Sequence, residues 1–173
     1  MTTFKTGKEQ NLHSLSLSPD CENFLATDKS RIWLWNLERS GQNPVYSLID
    51  YNRDKVSDDD EQITSAKFSQ DGRGMFLYST NTGHINVCDF RESSNFHKSP
   101  SLSFKVPSRK VGSNLFDKWI NVVSDAQFVP GHDHAIVSRD YTSLRMWDMR
   151  TASSNNSITG MVVDSEPQPV YSA

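Results

Sequence analysis

The sequence predicts an all-β fold made of about three repeats of a four-stranded antiparallel unit, and three observations predict it. The first is an internal repeat, sought before anything else. Residues 28–37 (DKSRIWLWNL), 81–90 (NTGHINVCDF) and 140–149 (DYTSLRMWDM) align without a gap. Each opens on Asp or Asn and carries an aliphatic residue (Ile32, Ile85, Leu144), with another apolar residue two positions on (Leu34, Val87, Met146). Each then reads Trp35, Cys88 or Trp147, followed by Asn36, Asp89 or Asp148. The second observation is the period-two alternation just before each repeat, at Leu15/Leu17, Ala66/Phe68 and Ala126/Phe128, which is the spacing of a half-buried strand. The third is turn chemistry after each alternation, at Pro19-Asp20, Asp71-Gly72 and Pro130-Gly131, residue types suited to turn dihedrals.

In chain order, residues 1–11 are a polar lead-in. The first unit occupies about 12–50, with LHSLSLSPDCENFLAT as strand, turn and strand, the repeat as third strand and PVYSLID as fourth. The second occupies about 63–107, ending in SLSFKVP, and the third about 123–150, where a fourth strand is much less defined. The units recur every fifty to sixty residues or so, longer than the roughly 40–45 of a plain WD repeat. The excess lies in the connections 51–62 and 108–121. Leu115, Phe116, Trp119 and Ile120 stand at helical spacing in the second, which predicts a short helix or packed turn. The tail, 151–173, is polar, poor in aromatics and reads as largely disordered. Four-stranded units ending in Trp-Asp describe the blades of a β-propeller, so 12–150 is expected to form part of one. Trp147 is expected to pack between adjacent blades.

Composition narrows the function. The chain has 173 residues, a formal charge of −3, 35% hydrophobic residues and a mean hydropathy of −0.61. A weakly acidic chain without a basic stripe is not expected to bind nucleic acid, and no segment has the length and apolarity of a bilayer span, so no membrane partner is expected. The polar N-terminus has no signal core. Two distant cysteines, Cys21 and Cys88, fit a reducing setting. The expected location is cytoplasmic, with the nucleus as a further possibility.

The runs LHSLSLSPDCENFLATDKSRIWLWNLE, ITSAKFSQDGRGMFLYSTNTGHINVCDFR and LFDKWINVVSDAQFVPGHDHAIVSRDYTSLRMWDM together resemble the B-type, WD-repeat regulatory subunit of protein phosphatase 2A. The most specific pieces are Cys88-Asp89-Phe90-Arg91 and Ser138-Arg139-Asp140-Tyr141. The resemblance implies about three middle blades of a closed seven-bladed propeller. It implies a regulatory, substrate-recruiting role without chemistry of its own. The implied partners are the phosphatase scaffold subunit, the catalytic subunit and phosphorylated protein substrates. The chain is therefore expected to be a fragment, a truncated product or a short paralogue. Stacking only three blades should leave each outer blade with one uncovered apolar face, making the isolated chain marginal or prone to associate.

The resemblance places substrate on the face built by the second-to-third-strand turns and the inter-blade connections. In this chain that implies Asp28 and Lys29 in the first turn, Tyr141 in the third, and Val56, Asp58, Asp59, Asp60 and Glu61 in the connection. The acidic run 58–61 would draw basic substrate segments electrostatically. A basic residue at Lys29 departs from the family's acidic pattern and weakens that groove. The competing reading of Asp28 is structural: an Asp opening such a turn accepts backbone N–H bonds. Asn81 and Asp140 hold the same slot, and with Arg139 they are assigned a structural role in the blade turns.

His132-Asp133-His134 supplies only two ligands from one turn, so no metal is expected. His13 is expected at a buried or rim position. Phosphate-loop, nucleophile-elbow and HExxH signatures are absent, and neither catalysis nor a cofactor is expected. Two alternatives stand beside the regulatory reading. One is a generic WD-repeat scaffold for protein interaction. The other is an enzyme using a central channel lined by His13, Thr64 and Ser124.

Overall fold

A computed structural model describes residues 4, 11–39, 44–51, 61–91, 100–107, 119–151 and 163–164. Three four-stranded antiparallel sheets carry the described chain. The first holds β1 (Ser14–Leu17), β2 (Asn23–Thr27), β3 (Arg31–Asn36) and β4 (Tyr46–Asp50) in sequence order. The second holds β5 (Ile63–Phe68), β6 (Met75–Thr80), β7 (His84–Asp89) and β8 (Leu102–Lys105). The third holds β9 (Asp125–Phe128), β10 (Ala135–Arg139), β11 (Ser143–Asp148) and β12 (Val163–Asp164). These are three blades of the expected kind, stacked through their innermost strands β1, β5 and β9.

Register makes the three sheets superimposable. Leu25 pairs with Leu34, Leu77 with Val87, and Val137 with Met146. Because side chains alternate across a strand, each sheet has two apolar faces, and each junction buries one face of each neighbour. Leu25, Ile32 and Ile49 of the first sheet meet Ala66, Phe76, Tyr78 and Cys88 of the second. Leu77, Ile85 and Val87 of the second meet Ala126, Ile136 and Trp147 of the third. Trp147 therefore packs between blades as expected, and its indole N–H donates to Ser138 Oγ at 2.8 Å. Serine side chains stitch the inner strands together. Ser14 Oγ donates to the Ala66 carbonyl at 3.2 Å, and Ser65 Oγ accepts from Ala126 N at 3.3 Å.

Three expectations are amended and one is narrowed. The first sheet's outer face is not left bare: Phe4, in the lead-in, packs edge-on against Phe24 and Trp35 with centroids 5.1 and 5.5 Å away. Trp35 is consequently buried, while Leu15 and Leu17 on the same face stay exposed. The tail contributes a two-residue fourth strand, pairing Asp164 with Ser143 and Val163 with Leu144; the rest of 152–173 lies outside the described residues. Of the predicted helical patch, Leu115 and Phe116 lie outside them too, Ile120 is buried, and Trp119 is 70% exposed, so Trp119 does not pack as an amphipathic face would. His13 precedes β1 and is exposed, which places it at the rim and not in the core.

The motifs that carry the resemblance are structural devices. Asp89 caps the end of β7 by accepting the Arg91 backbone N–H at 2.8 Å and pairing with its guanidinium at 2.6 Å. Asp148 and Arg150 repeat the arrangement at the end of β11, at 2.9 and 2.6 Å. The arginine hydrogen bonds hold the Asp89 carboxyl below the ordinary range and the Asp148 carboxyl at about 2. Phe90, between Asp89 and Arg91, packs on Phe68 and Phe76.

Candidate recognition face

The turns β2–β3, β6–β7 and β10–β11 share one rim, tied to the connections that lead into the next sheet. Ile63 N donates to the Lys29 carbonyl at 2.8 Å, and Tyr51 N to the Ser30 carbonyl at 2.9 Å. Asn81 N donates to the Gln62 carbonyl at 2.9 Å, while Gln62 N donates back to Asn81 Oδ1 at 2.7 Å. Val123 N reaches the Thr80 carbonyl, and Ser124 N the Arg139 carbonyl at 2.8 Å. The rim is thus one hydrogen-bonded surface of turns and connections.

Asp28 sits inside this rim, 1% exposed. Its Oδ1 accepts from the N–H groups of Ser30 and Arg31 at 2.7 and 2.6 Å. This is an Asx turn, in which the carboxylate replaces a backbone acceptor. Its Oδ2 is buried without a hydrogen-bond partner. Asp140 repeats the turn in the third sheet, accepting from Thr142 N at 2.8 Å and Ser143 N at 2.5 Å. Its Oδ2 accepts from Ser143 Oγ at 2.6 Å and from Arg145 Nε at 3.1 Å. Both side chains of that ion pair are almost wholly buried. Burial pushes the Asp140 carboxyl up, but the hydrogen bonds from Ser143, Thr142 and Arg145 outweigh it and hold the group below its ordinary range. Asn81 uses the same slot differently, clasping the preceding connection instead of capping its own turn. The second turn closes through Gly83 at φ +87°, where a Cβ would stand 2.9 Å from the Asn121 carbonyl oxygen.

Side chains turned to solvent here include Lys29, Arg139 and Tyr141, the last 77% exposed. Glu61 is half-buried and engaged: Thr82 Oγ1 donates to it at 2.8 Å, and His84 Nδ1 lies 3.5 Å away. The His84 hydrogen bond holds its carboxyl below the usual value. Of the acidic run, Glu61 therefore belongs to the framework of the rim. Val56, Asp58, Asp59 and Asp60 lie outside the described residues.

Arg145, Thr82 and His84 were missed from sequence. Arg145 occupies an alternating strand position that reads as solvent-facing; only a search for a buried partner to Asp140 would have flagged it. Thr64 and Ser124, the candidates for a reactive channel, spend their hydroxyls on structure. Thr64 Oγ1 bonds Ser79 Oγ at 2.7 Å and the Val123 carbonyl at 2.5 Å, and Ser124 Oγ donates to the Arg139 carbonyl at 3.0 Å. His132, Asp133 and His134 are exposed on the opposite rim. Among the described residues no group of three or more His, Cys, Asp or Glu is placed to hold a metal ion.

No family model matches the chain. Curated relatives do match it. The "Protein phosphatase PP2A 55 kDa regulatory subunit" of Drosophila melanogaster is 31% identical over 147 residues, 85% of this chain and 29% of the relative. In Arabidopsis thaliana, the B alpha isoform of the 55 kDa regulatory subunit of serine/threonine protein phosphatase 2A is 35% identical over 141 residues, 82% of this chain and 27% of the relative. The B gamma isoform of Mus musculus is 29% identical over 147 residues, 85% of this chain and 32% of the relative. The chain thus spans about 30% of the length of these relatives.

Proposed function

The chain is homologous, over most of its own length, to the 55 kDa B-type regulatory subunits of protein phosphatase 2A, and on that premise we propose that it serves a regulatory role in that phosphatase: it engages the scaffold and catalytic subunits and presents phosphorylated proteins to them. Its proposed setting is cytoplasmic or nuclear. The proposed substrate surface is the rim of turns and connections, with Lys29 and Tyr141 as outward contacts and the acidic segment through Asp58, Asp59 and Asp60, beside Val56, attracting basic substrate stretches. Asp28 and Glu61 act there as positioning residues, the first by holding its turn, the second by tying the connection to Thr82 and His84. The single observation that carries the reading is the hydrogen-bonded continuity of that rim, which joins the turns of successive sheets to the segments between them.

The first test is a pull-down of the chain with a purified scaffold–catalytic dimer, beside a full-length regulatory subunit as control. Saturable binding supports the regulatory role. Failure to bind beside a positive control defeats it for this chain and favours a propeller scaffold with other partners. The second test reverses Asp58, Asp59 and Asp60 to Lys in the assembled complex. Removing and inverting three charges should weaken a basic phosphopeptide by about fivefold or more at low salt, less at high salt. An affinity within about twofold of the unsubstituted complex would remove the acidic segment from the site.

A further inference from the structure

The two ends of the stack carry complementary halves of the junction that the chain makes twice internally. On the side facing the next sheet, the first sheet presents Leu25 and Ile32 and the second presents Leu77 and Ile85, all fully buried. The register places Val137 and Leu144 of the third sheet in those positions, with Met146 equivalent to Leu34 and Val87. There the described residues leave Leu144 and Met146 each 47% exposed. The opposite half is the set Ala66/Phe68 of the second sheet and Ala126/Phe128 of the third. Its counterpart in the first sheet is Leu15/Leu17, 61% and 50% exposed.

The remainder of that first-sheet face is prepared for the same junction. Phe104 of β8 lies 5.5 Å from Trp147 across the second junction, and Phe4 lies 5.5 Å from Trp35, the equivalent tryptophan. Phe4 thus stands toward the first sheet as the fourth strand of a preceding sheet would. Polar groups match as well. Ser14 and Ser65, in equivalent positions, each accept a backbone N–H from the next inner strand, that of Ala66 at 3.4 Å and of Ala126 at 3.3 Å. Asp125 holds that position in the third sheet, and a carboxylate can accept the N–H of Leu15 as the serines accept those of Ala66 and Ala126.

From these equivalences we infer that the chain associates with a second copy of itself head to tail, the β10–β11 face of one copy covering the β1–β2 face of the other. The contact is heterologous, one half-junction against the other, so copies close into a ring where the rotation between them closes and otherwise extend in line.

Sedimentation velocity on the 173-residue chain, over about a hundredfold range of concentration, tests this. The expected result is reversible association. Met146→Glu and Leu15→Glu should each weaken it by at least about tenfold, because each places an unpaired charge in an apolar contact. Both positions are solvent-exposed in the single chain, so far-UV circular dichroism should report an unchanged fold. Should either Glu variant unfold, Met146→Gln or Leu15→Gln replaces it in the same measurement. An equimolar mixture of the two variants should regain a pair held by one contact, since one copy keeps each intact face. A chain that is monomeric throughout, an assembly that survives both substitutions, or a mixture that stays monomeric overturns the inference. The first of these would leave the face to a further sheet of a longer chain.

Discussion

Replacing Asp140 by Asn tests whether a buried charge pair, beyond turn geometry, holds the recognition rim together. Asn keeps an oxygen for the Thr142 and Ser143 N–H groups but removes the charge facing Arg145. The two side chains are 2% and 4% exposed, with Nε 3.1 Å from Oδ2. Leaving one member of a buried pair uncompensated costs about 3–5 kcal/mol. Arg145 Nη2 already lacks a hydrogen-bond partner, so the native pair is imperfect and the loss should fall near the lower figure, about 3 kcal/mol. Against a typical total of roughly 5–15 kcal/mol, that is a large share. Arg145→Met is the converse. It leaves Asp140 its bonds from Thr142 N, Ser143 N and Ser143 Oγ and removes the unpartnered nitrogen, so it should cost less than D140N, about 2 kcal/mol. The double variant should cost less than the sum, as expected of contacting residues. Urea unfolding followed by tryptophan fluorescence measures all three. Acid adds a second readout. A carboxylate depressed in the folded state stabilises the fold fully above its unfolded value, near 3.9. That contribution is lost as pH falls through the lower folded value, and D140N should lack this part of the acid dependence. A D140N loss no larger than that of R145M, or parallel acid curves for D140N and the native chain, would refute the charge-pair account.

Gly83→Ala should lower stability by about 1–3 kcal/mol in a thermal melt, because Ala must adopt a positive φ and its Cβ meets the Asn121 carbonyl at 2.9 Å; an unchanged melting temperature would mean that the turn relaxes freely. The two cysteines should differ in reactivity: Cys21 is exposed, whereas burial pushes the Cys88 thiol up to about 12. A thiol reagent at neutral pH should modify Cys21 promptly and Cys88 only after denaturant is added; equal rates would contradict the burial of Cys88.

The strands, their number per unit and the sheets they form were legible in the sequence, because a period of two and a repeated turn are local signals that every sheet of this kind must carry. The alignment of Asp28, Asn81 and Asp140 even located the rim. It could not say that Asp28 and Asp140 cap their own turns while Asn81 holds the preceding connection, since all three have an acceptor oxygen in the same slot. Arg145 shows the same limit: a charged residue at an alternating position reads as outward, yet here it is buried and paired with Asp140. Phe4 was placed in a polar lead-in because one aromatic residue has no periodicity; its role follows from meeting Phe24 and Trp35, about twenty and thirty residues on. What the sequence by itself determined was the repeating unit, its all-β character and its kinship. Tertiary structure alone decided which polar groups are spent on turns, which remain outward for recognition, and which apolar faces stay uncovered. Those outcomes depend on the stacking of sheets distant in sequence, and burial is a property of that stacking and not of any local pattern.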